Sequence, residues 1–258
     1  MRNGTPRLSS LARATALFER ILADAGSSTV AALARSIDMP VATAHRHAAT
    51  LVEAGLLRKV GGGRLVAGPL LFSLFRRVDE KQVLALSAAP VIHEVSRRLD
   101  GVVQLGTFEN DMVTYRLKAG RQARSLFTEV GMQLEAYCSA VGKALLAHLP
   151  EGPRQAYLAG GPFVALTANT ITDPDRLAGE LEQVRRAGFA VDDEEVAEGL
   201  FCVAVPVFAP DGSVQAAISL SRARGETSRA DCPLLAEDLQ GGASRIELAT
   251  YGAAFDRA

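Results

Sequence analysis

Thr43, Arg46, His47 and Thr50 are spaced so that a helix would carry all four on one face. That face offers hydroxyls, an imidazole and a guanidinium, with little bulk. Such a surface can enter the major groove of DNA and touch base edges and phosphates. Arg46 has the planar fork for bidentate contact with guanine; Thr43 and His47 can reach bases or phosphates, and His45 flanks them. The opposite stripe, Val41, Ala44, Ala48, Leu51 and Val52, is apolar and suits a core. A solvated helix has the same pattern, so its neighbours must decide.

Other residues suggest enzyme chemistry. Gly142-Lys143 has the ending of a phosphate-binding loop, but Tyr137 stands where the earlier glycine is required and Ala144 where Ser or Thr should follow. Ser139 and Lys143 are four positions apart, whereas the serine–lysine hydrolase pair needs three. Cys138 has no nearby base in sequence, since His148 lies ten residues on. A small-molecule hydrolase using Ser139 or Cys138 is therefore the alternative class, and no catalytic residue is assigned. Asp192, Asp193, Glu194 and Glu195 are consecutive acids that point different ways and suit a solvated turn better than a metal site. His93, Cys138, His148 and Cys202 are too dispersed for zinc, and no cofactor or metal is expected.

The elements around the basic helix carry more weight. Leu11, Ala14, Phe18, Ile21 and Leu22 predict a first helix after the capping candidates Ser9 and Ser10, ended by Gly26. Ser28 or Thr29 caps a short second helix with Val30, Leu33 and Ala34 inward. Pro40 suits the first position of the third helix, which runs to Ala54 and stops at Gly55. From Leu56 to Val66, two short strands flank Gly61-Gly62-Gly63, placing Arg58, Lys59 and Arg64 on a basic hairpin. Three helices followed by a basic wing make a winged helix-turn-helix. A head used only for dimerisation is the competing reading.

At 258 residues the chain has room for two domains. Hydrophobic residues are 48% and charged residues 22%, a globular composition. The net charge of −1 hides an asymmetry. Residues 1–77 carry 11 Lys and Arg against 4 Asp and Glu, while residues 78–258 carry 17 against 25. A basic head on an acidic body suits a polyanion partner for the head. Met1 to Ser10 has Arg2 and Arg7 but no apolar export segment, and no apolar run is long enough to span a bilayer. Three scattered cysteines form neither a disulfide framework nor a metal pair, so a reducing cytoplasmic setting without membrane attachment is expected.

Leu70, Leu71, Leu74 and Phe75, then Val83, Leu84 and Leu86, predict joining helices, with the domain boundary after Arg77. The 78–258 body reads as a helix from Ala88 to Leu99 and strands from Val102 to Phe108 and Met112 to Leu117. Helices follow from Ser139 to His148 and from Pro174 to Gly188; a hairpin spans Phe201 to Phe208 and Val214 to Ser221. The expected class is α+β, an antiparallel sheet with helices packed around it.

The chain resembles the IclR family of bacterial transcriptional regulators from about Ser9 to Leu248. In the head the match runs from Met39 through Arg46; in the body it covers Cys138 to Ala147, Ala187 to Glu195, Gly199 to Phe208 and Ala217 to Ser221. The resemblance implies a GAF-like effector-binding domain, subunits dimerised through the heads, often a dimer-of-dimers tetramer, and a roughly palindromic operator on double-stranded DNA. It implies control by a small organic acid, an aliphatic or aromatic carboxylate. Carried over residue by residue, the effector site includes Ala140, Val141, Asp192, Leu200, Cys202, Ser219 and Ser221, closed by Leu126 and Ala123. Tyr137-Cys138 before the serine is similar to the family's regulators of aromatic breakdown, but the chain departs from those members where Lys143 stands in place of Arg, and from the family where Arg222-Ala223-Arg224 replaces Gly-Pro.

Overall fold

The computed structural model describes residues 8–252, which divide into two compact units after Asp79. Arg2 and Arg7 lie outside the described residues. In the first unit α1 (Ser9–Asp24), α2 (Val30–Ser36) and α3 (Val41–Glu53) enclose a small core; β1 (Leu57–Gly61) and β2 (Arg64–Ala67) form an antiparallel hairpin, and α4 (Pro69–Phe75) follows. Leu17, Ile21, Val30, Leu33, Ala34, Ala44, Ala48, Leu57 and Leu65 fill that core.

Two details differ from the sequence reading. Leu8 is the N-cap of α1, so Ser9 and Ser10 lie inside its first turn without capping it, and the buried stripe runs through Leu17 and Ile21. Leu11 stays 63% exposed because α2 and α3 cover only one side of α1. Pro40 sits one position earlier than expected, as the N-cap of α3, where its carbonyl accepts the amides of Thr43 and Ala44. Thr29 caps α2 with its side chain on the Ala32 amide.

The second unit is built on a six-stranded sheet in the order β5-β4-β3-β8-β7-β6, antiparallel throughout. Its strands are β3 (Val102–Glu109), β4 (Met112–Ala119), β5 (Gln133–Glu135), β6 (Ala190–Asp193), β7 (Leu200–Phe208) and β8 (Val214–Ala223). The helices are α5 (Glu80–Leu99), α6 (Ala140–His148), α7 (Glu151–Leu158), α8 (Pro174–Ala187) and α9 (Cys232–Tyr251). The helical segments expected on either side of Ser87 are one helix, α5, which continues through Pro90.

Strand periodicity divides the sheet's two faces. Val103, Leu105, Val203, Val205, Ile218 and Leu220 pack with residues of α5 and α9 into the larger core. Tyr115, Ala190, Cys202, Ala204 and Ala217 share the second core with α6 and α8. Ser139 caps α6 by accepting the Gly142 amide at 3.1 Å. No helix among the described residues is long and apolar enough to cross a membrane.

The start of α6 lies so close to the preceding segment that a Cβ on Gly142 would stand 2.1 Å from the Ala136 carbonyl oxygen and 2.4 Å from its Cα. Gly142→Ala is therefore expected to lower the unfolding free energy by about 1–3 kcal/mol or more in urea titrations. Gly179→Ala, on an exposed face of α8 where a Cβ meets nothing within 4 Å, is expected to gain about 0.4–1 kcal/mol.

Candidate functional site

On α3, Arg46 and Thr50 are exposed, and the Thr50 hydroxyl donates to the Arg46 carbonyl at 3.1 Å. Thr43 and His47 are half-buried; the His47 Nε2 is sealed with no hydrogen-bond partner. His45 is exposed on the side nearer the hairpin, where it lines a cleft of about 400 Å³ with Ala49, Val52, Lys59 and Arg64. Lys59 pairs with buried Leu65 in the hairpin and so shares its inward side, while Arg58 pairs with Val66 on the other face. The three basic wing residues are all exposed, yet only Lys59 and Arg64 border the cleft. Gly61, Gly62 and Gly63 all have left-handed φ (90°, 59° and 72°), which lets the chain reverse at the tip. The Gly63 carbonyl accepts the Val30 amide, tying the tip to α2.

In the second unit, the register builds two adjacent polar rows across the sheet. One runs Asp192, Cys202, Ser221, Val102; the other Ala190, Ala204, Ser219, Gln104, Lys118. Residues directly opposite share a face, and the rows are two positions apart, so Asp192, Cys202, Ser219 and Ser221 all face α6. Cys202 Sγ and Ser221 Oγ are 3.2 Å apart. Ala140 and Val141 open α6 above this face, where Val141 Cγ1 lies 2.7 Å from the place a Cβ on Gly106 would take. Leu200 joins the same apolar cluster two residues before Cys202. Ser221 also reaches a cavity of about 360 Å³, lined by Gly101, Arg121, Gln122 and Arg222 among others.

Leu126 is half-buried on the segment that follows β4. Its carbonyl accepts Lys118 Nζ at 2.9 Å, and Lys118 also donates to the Thr128 carbonyl. Gln104 Nε2 donates to Thr128 Oγ1 at 2.8 Å, so two residues of the Ser219 row hold this segment down. Ala123 lines a separate cavity of about 590 Å³ with Lys118 and Arg121. Sequence reasoning missed Gln104, Tyr115 and Lys118. Gln104 left a signal as a lone polar residue inside the run Val102-Val103-Gln104-Leu105.

Lys143 has no exposed side chain and binds Glu195 Oε1 and, at 3.2 Å, Glu180 Oε1 on α8. Burial lifts the Glu195 carboxyl above the usual range, against the pull of Lys143. Burial likewise pushes Asp192 up to about 7, opposed by the Glu195 amide that it accepts. The thiols of Cys138 and Cys202 are raised by burial and by Asp192 beside them, and the Tyr115 hydroxyl is raised by the same causes. Ser139 Oγ is engaged with the Glu135 carbonyl and the Gly142 amide, and His148 Nδ1 with the Ala144 carbonyl. Cys138 therefore has no lowered pKa, and neither it nor Ser139 has a hydrogen-bonded base, the usual ways of activating a nucleophile. Among the described residues no three His, Cys, Asp or Glu side chains converge as a metal site.

Residues 10–61 match the model of the IclR helix-turn-helix domain, and residues 77–248 match that of the bacterial transcriptional regulator IclR C-terminal domain. The Pca regulon regulatory protein of Pseudomonas putida is 29% identical over 226 residues, covering 87% of this chain and 77% of that protein. The repressor BlcR of Agobacterium tumefaciens superposes with a TM-score of 0.66 at 25% identity, covering 95% of this chain and 97% of that one. An IclR homologue from Microbacterium hydrocarbonoxydans, solved in complex with 4-hydroxybenzoate, gives a TM-score of 0.61 at 27% identity, covering 94% and 99%.

Removing Lys143 leaves Glu195 buried without its cation. Lys143→Met is expected to cost about 3–5 kcal/mol, and Lys143→Met with Glu195→Gln to recover much of it. In the single variant Glu195 is protonated when folded and ionised when unfolded above about pH 4.3. Unfolding then releases a proton, so stability falls as pH rises, as melting temperatures across pH will show.

Proposed function

The chain belongs to the IclR family of bacterial transcriptional regulators, and from that premise we propose that residues 1–77 read operator DNA while residues 78–258 bind a small organic acid that modulates the reading. The proposed DNA contacts are Thr43, His45, Arg46, His47 and Thr50 on α3 and Arg58, Lys59 and Arg64 on the wing. Exposed Arg46, on the outward face of a helix whose other side fills the core, carries this assignment. The proposed effector site is framed by Ala140, Val141, Asp192, Leu200, Cys202, Ser219 and Ser221, with Leu126 on the segment closing it. A polar patch in a buried sheet face supports it, as does the aromatic carboxylate bound by the Microbacterium homologue.

The operator is roughly palindromic because the protein acts as a homodimer or a dimer of dimers. Leu8 and Leu11 on α1's end of the head, and Phe72 and Phe75 on α4, supply exposed apolar surface for such pairing. The effector acts by changing the spacing of the paired heads. The protein works in the cytoplasm, where its DNA is, and catalyses no reaction.

Arg46→Ala is expected to weaken binding to an operator recovered from a randomised duplex pool by about 5- to 150-fold in anisotropy titrations. Unchanged affinity and unchanged salt dependence would remove α3 from the DNA groove. A melting-shift screen with acetate, pyruvate, succinate, benzoate and 4-hydroxybenzoate is expected to give at least one stabilising acid. Ser219→Ala and Ser221→Ala should shrink that shift while leaving ligand-free operator binding intact. Full shifts in both variants would place the acid elsewhere.

A further inference from the structure

Asp192 is 1% exposed, yet its carboxylate is only half satisfied. Oδ1 accepts the amides of Glu195 at 2.7 Å and Val196 at 3.3 Å, closing the turn after β6. Oδ2 is equally buried and has no hydrogen-bond partner. A bare anionic oxygen in such a place loses its hydration with nothing in exchange, a heavier penalty than for a neutral polar group.

The surroundings compensate that charge only in part: burial outweighs the Glu195 and Val196 amides and the attraction of Lys143. β7 presents the Cys202 thiol, β4 the Tyr115 hydroxyl, and the segment before α6 the Cys138 thiol, all neutral at neutral pH. Glu195, on Asp192's own turn, is a second acid. Lys143 on α6 is committed to Glu195 and to Glu180 of α8. Asp193 is held on its own by Arg224 and Arg229. Burial pushing Asp192 up to about 7 agrees with this geometry.

We propose that Asp192 keeps its proton in the effector site and donates its Oδ2 hydroxyl to the acidic group of the effector, so that binding of the acid is linked to protonation of Asp192. This rests on the reading of the Asp192–Cys202–Ser221 face as an acid-binding site. A protonated aspartic acid is a neutral donor, as an anionic partner requires, whereas an ionised one repels it across a few ångströms of poorly solvated space. The ligand class is narrowed accordingly, to carboxylates over their amides or alcohols, bound more weakly as pH rises. No proton moves during binding below the titration point. Above it, one proton is taken from solvent for each acid bound.

The direct test needs no ligand. Infrared titration of the full-length protein is expected to show a protonated-carboxyl C=O component that persists to near pH 7 and is missing in Asp192→Asn, with Glu195, also lifted by burial, contributing to what remains of the band. Loss of that component below about pH 5, in the ordinary aspartate range, would overturn the proposal. The second test is calorimetry with whichever of acetate, pyruvate, succinate, benzoate or 4-hydroxybenzoate gives the largest melting shift. Affinity should fall about tenfold per pH unit above neutrality, with uptake of close to one proton per acid in buffers of different ionisation enthalpy. Asp192→Asn keeps a donor at that place and should flatten the pH dependence; Asp192→Leu should lose binding. An acid that binds with no proton uptake and no pH dependence overturns the linkage but leaves the effector site standing. Failure of all five acids, with the C=O component present, overturns the acid-binding reading and the linkage with it.

Discussion

A lysine taken wholly out of water must be met by carboxylates, and Lys143 is met by two that come from distant parts of the chain. Glu180 belongs to α8 and Glu195 to the turn after β6, so one ammonium group holds α6 against both. The same turn is closed by Asp192 accepting the Glu195 amide, and the Glu195 carbonyl is held by Thr167 and Thr170. The polar face beneath α6 therefore owes its shape to a charge that never touches solvent. Such pairs add little net stability over a well-packed apolar substitute; their value is in demanding one arrangement of the elements that carry them.

The head works under the opposite constraint. Its core is small, built from two short helices, a hairpin and one side of α1, and alanines at 34, 44 and 48 let α2 and α3 approach closely. The Arg46 and Thr50 side of α3 is thereby free of packing duties, while Thr43 and His47 stay half-buried at its edge. A helix that binds its own domain through small apolar residues can offer polar ones to another molecule without competition between the two tasks. The body, residues 78–258, carries the opposite charge balance, with 25 Asp and Glu against 17 Lys and Arg.

Much of this was legible in the residues because periodicity and punctuation agree. The three-helix order, the glycine hairpin, helix α6 and the β7–β8 hairpin each follow from local signals. β6 escaped notice because it is only four residues long and begins directly after the α8 cap, and β5 because it has only three. α9 has no counterpart in the sequence reading; Gly241 and Gly242 weaken the helical signal in its middle, and tertiary packing of Leu235, Leu239 and Ile246 overrides them. The site was legible in part. Period-two spacing marks Ser219 and Ser221 as a pair, but their meeting with Asp192, Cys202 and Gln104 depends on strand order, which no local pattern encodes. The partnering of Lys143 with acids 37 and 52 residues away is likewise a product of topology alone.

The three glycines at the hairpin tip leave it without any functional group except its peptide bonds. A finger with a blank end carries no vocabulary of its own: it can feel where a sugar–phosphate ridge runs, but not which letters lie between the ridges. If α3 and the wing contact DNA as proposed, discrimination among sites would rest with a handful of side chains on that one helix. A descendant of this chain could acquire a different target by altering those few letters of its alphabet, with the grip that steadies it inherited unaltered.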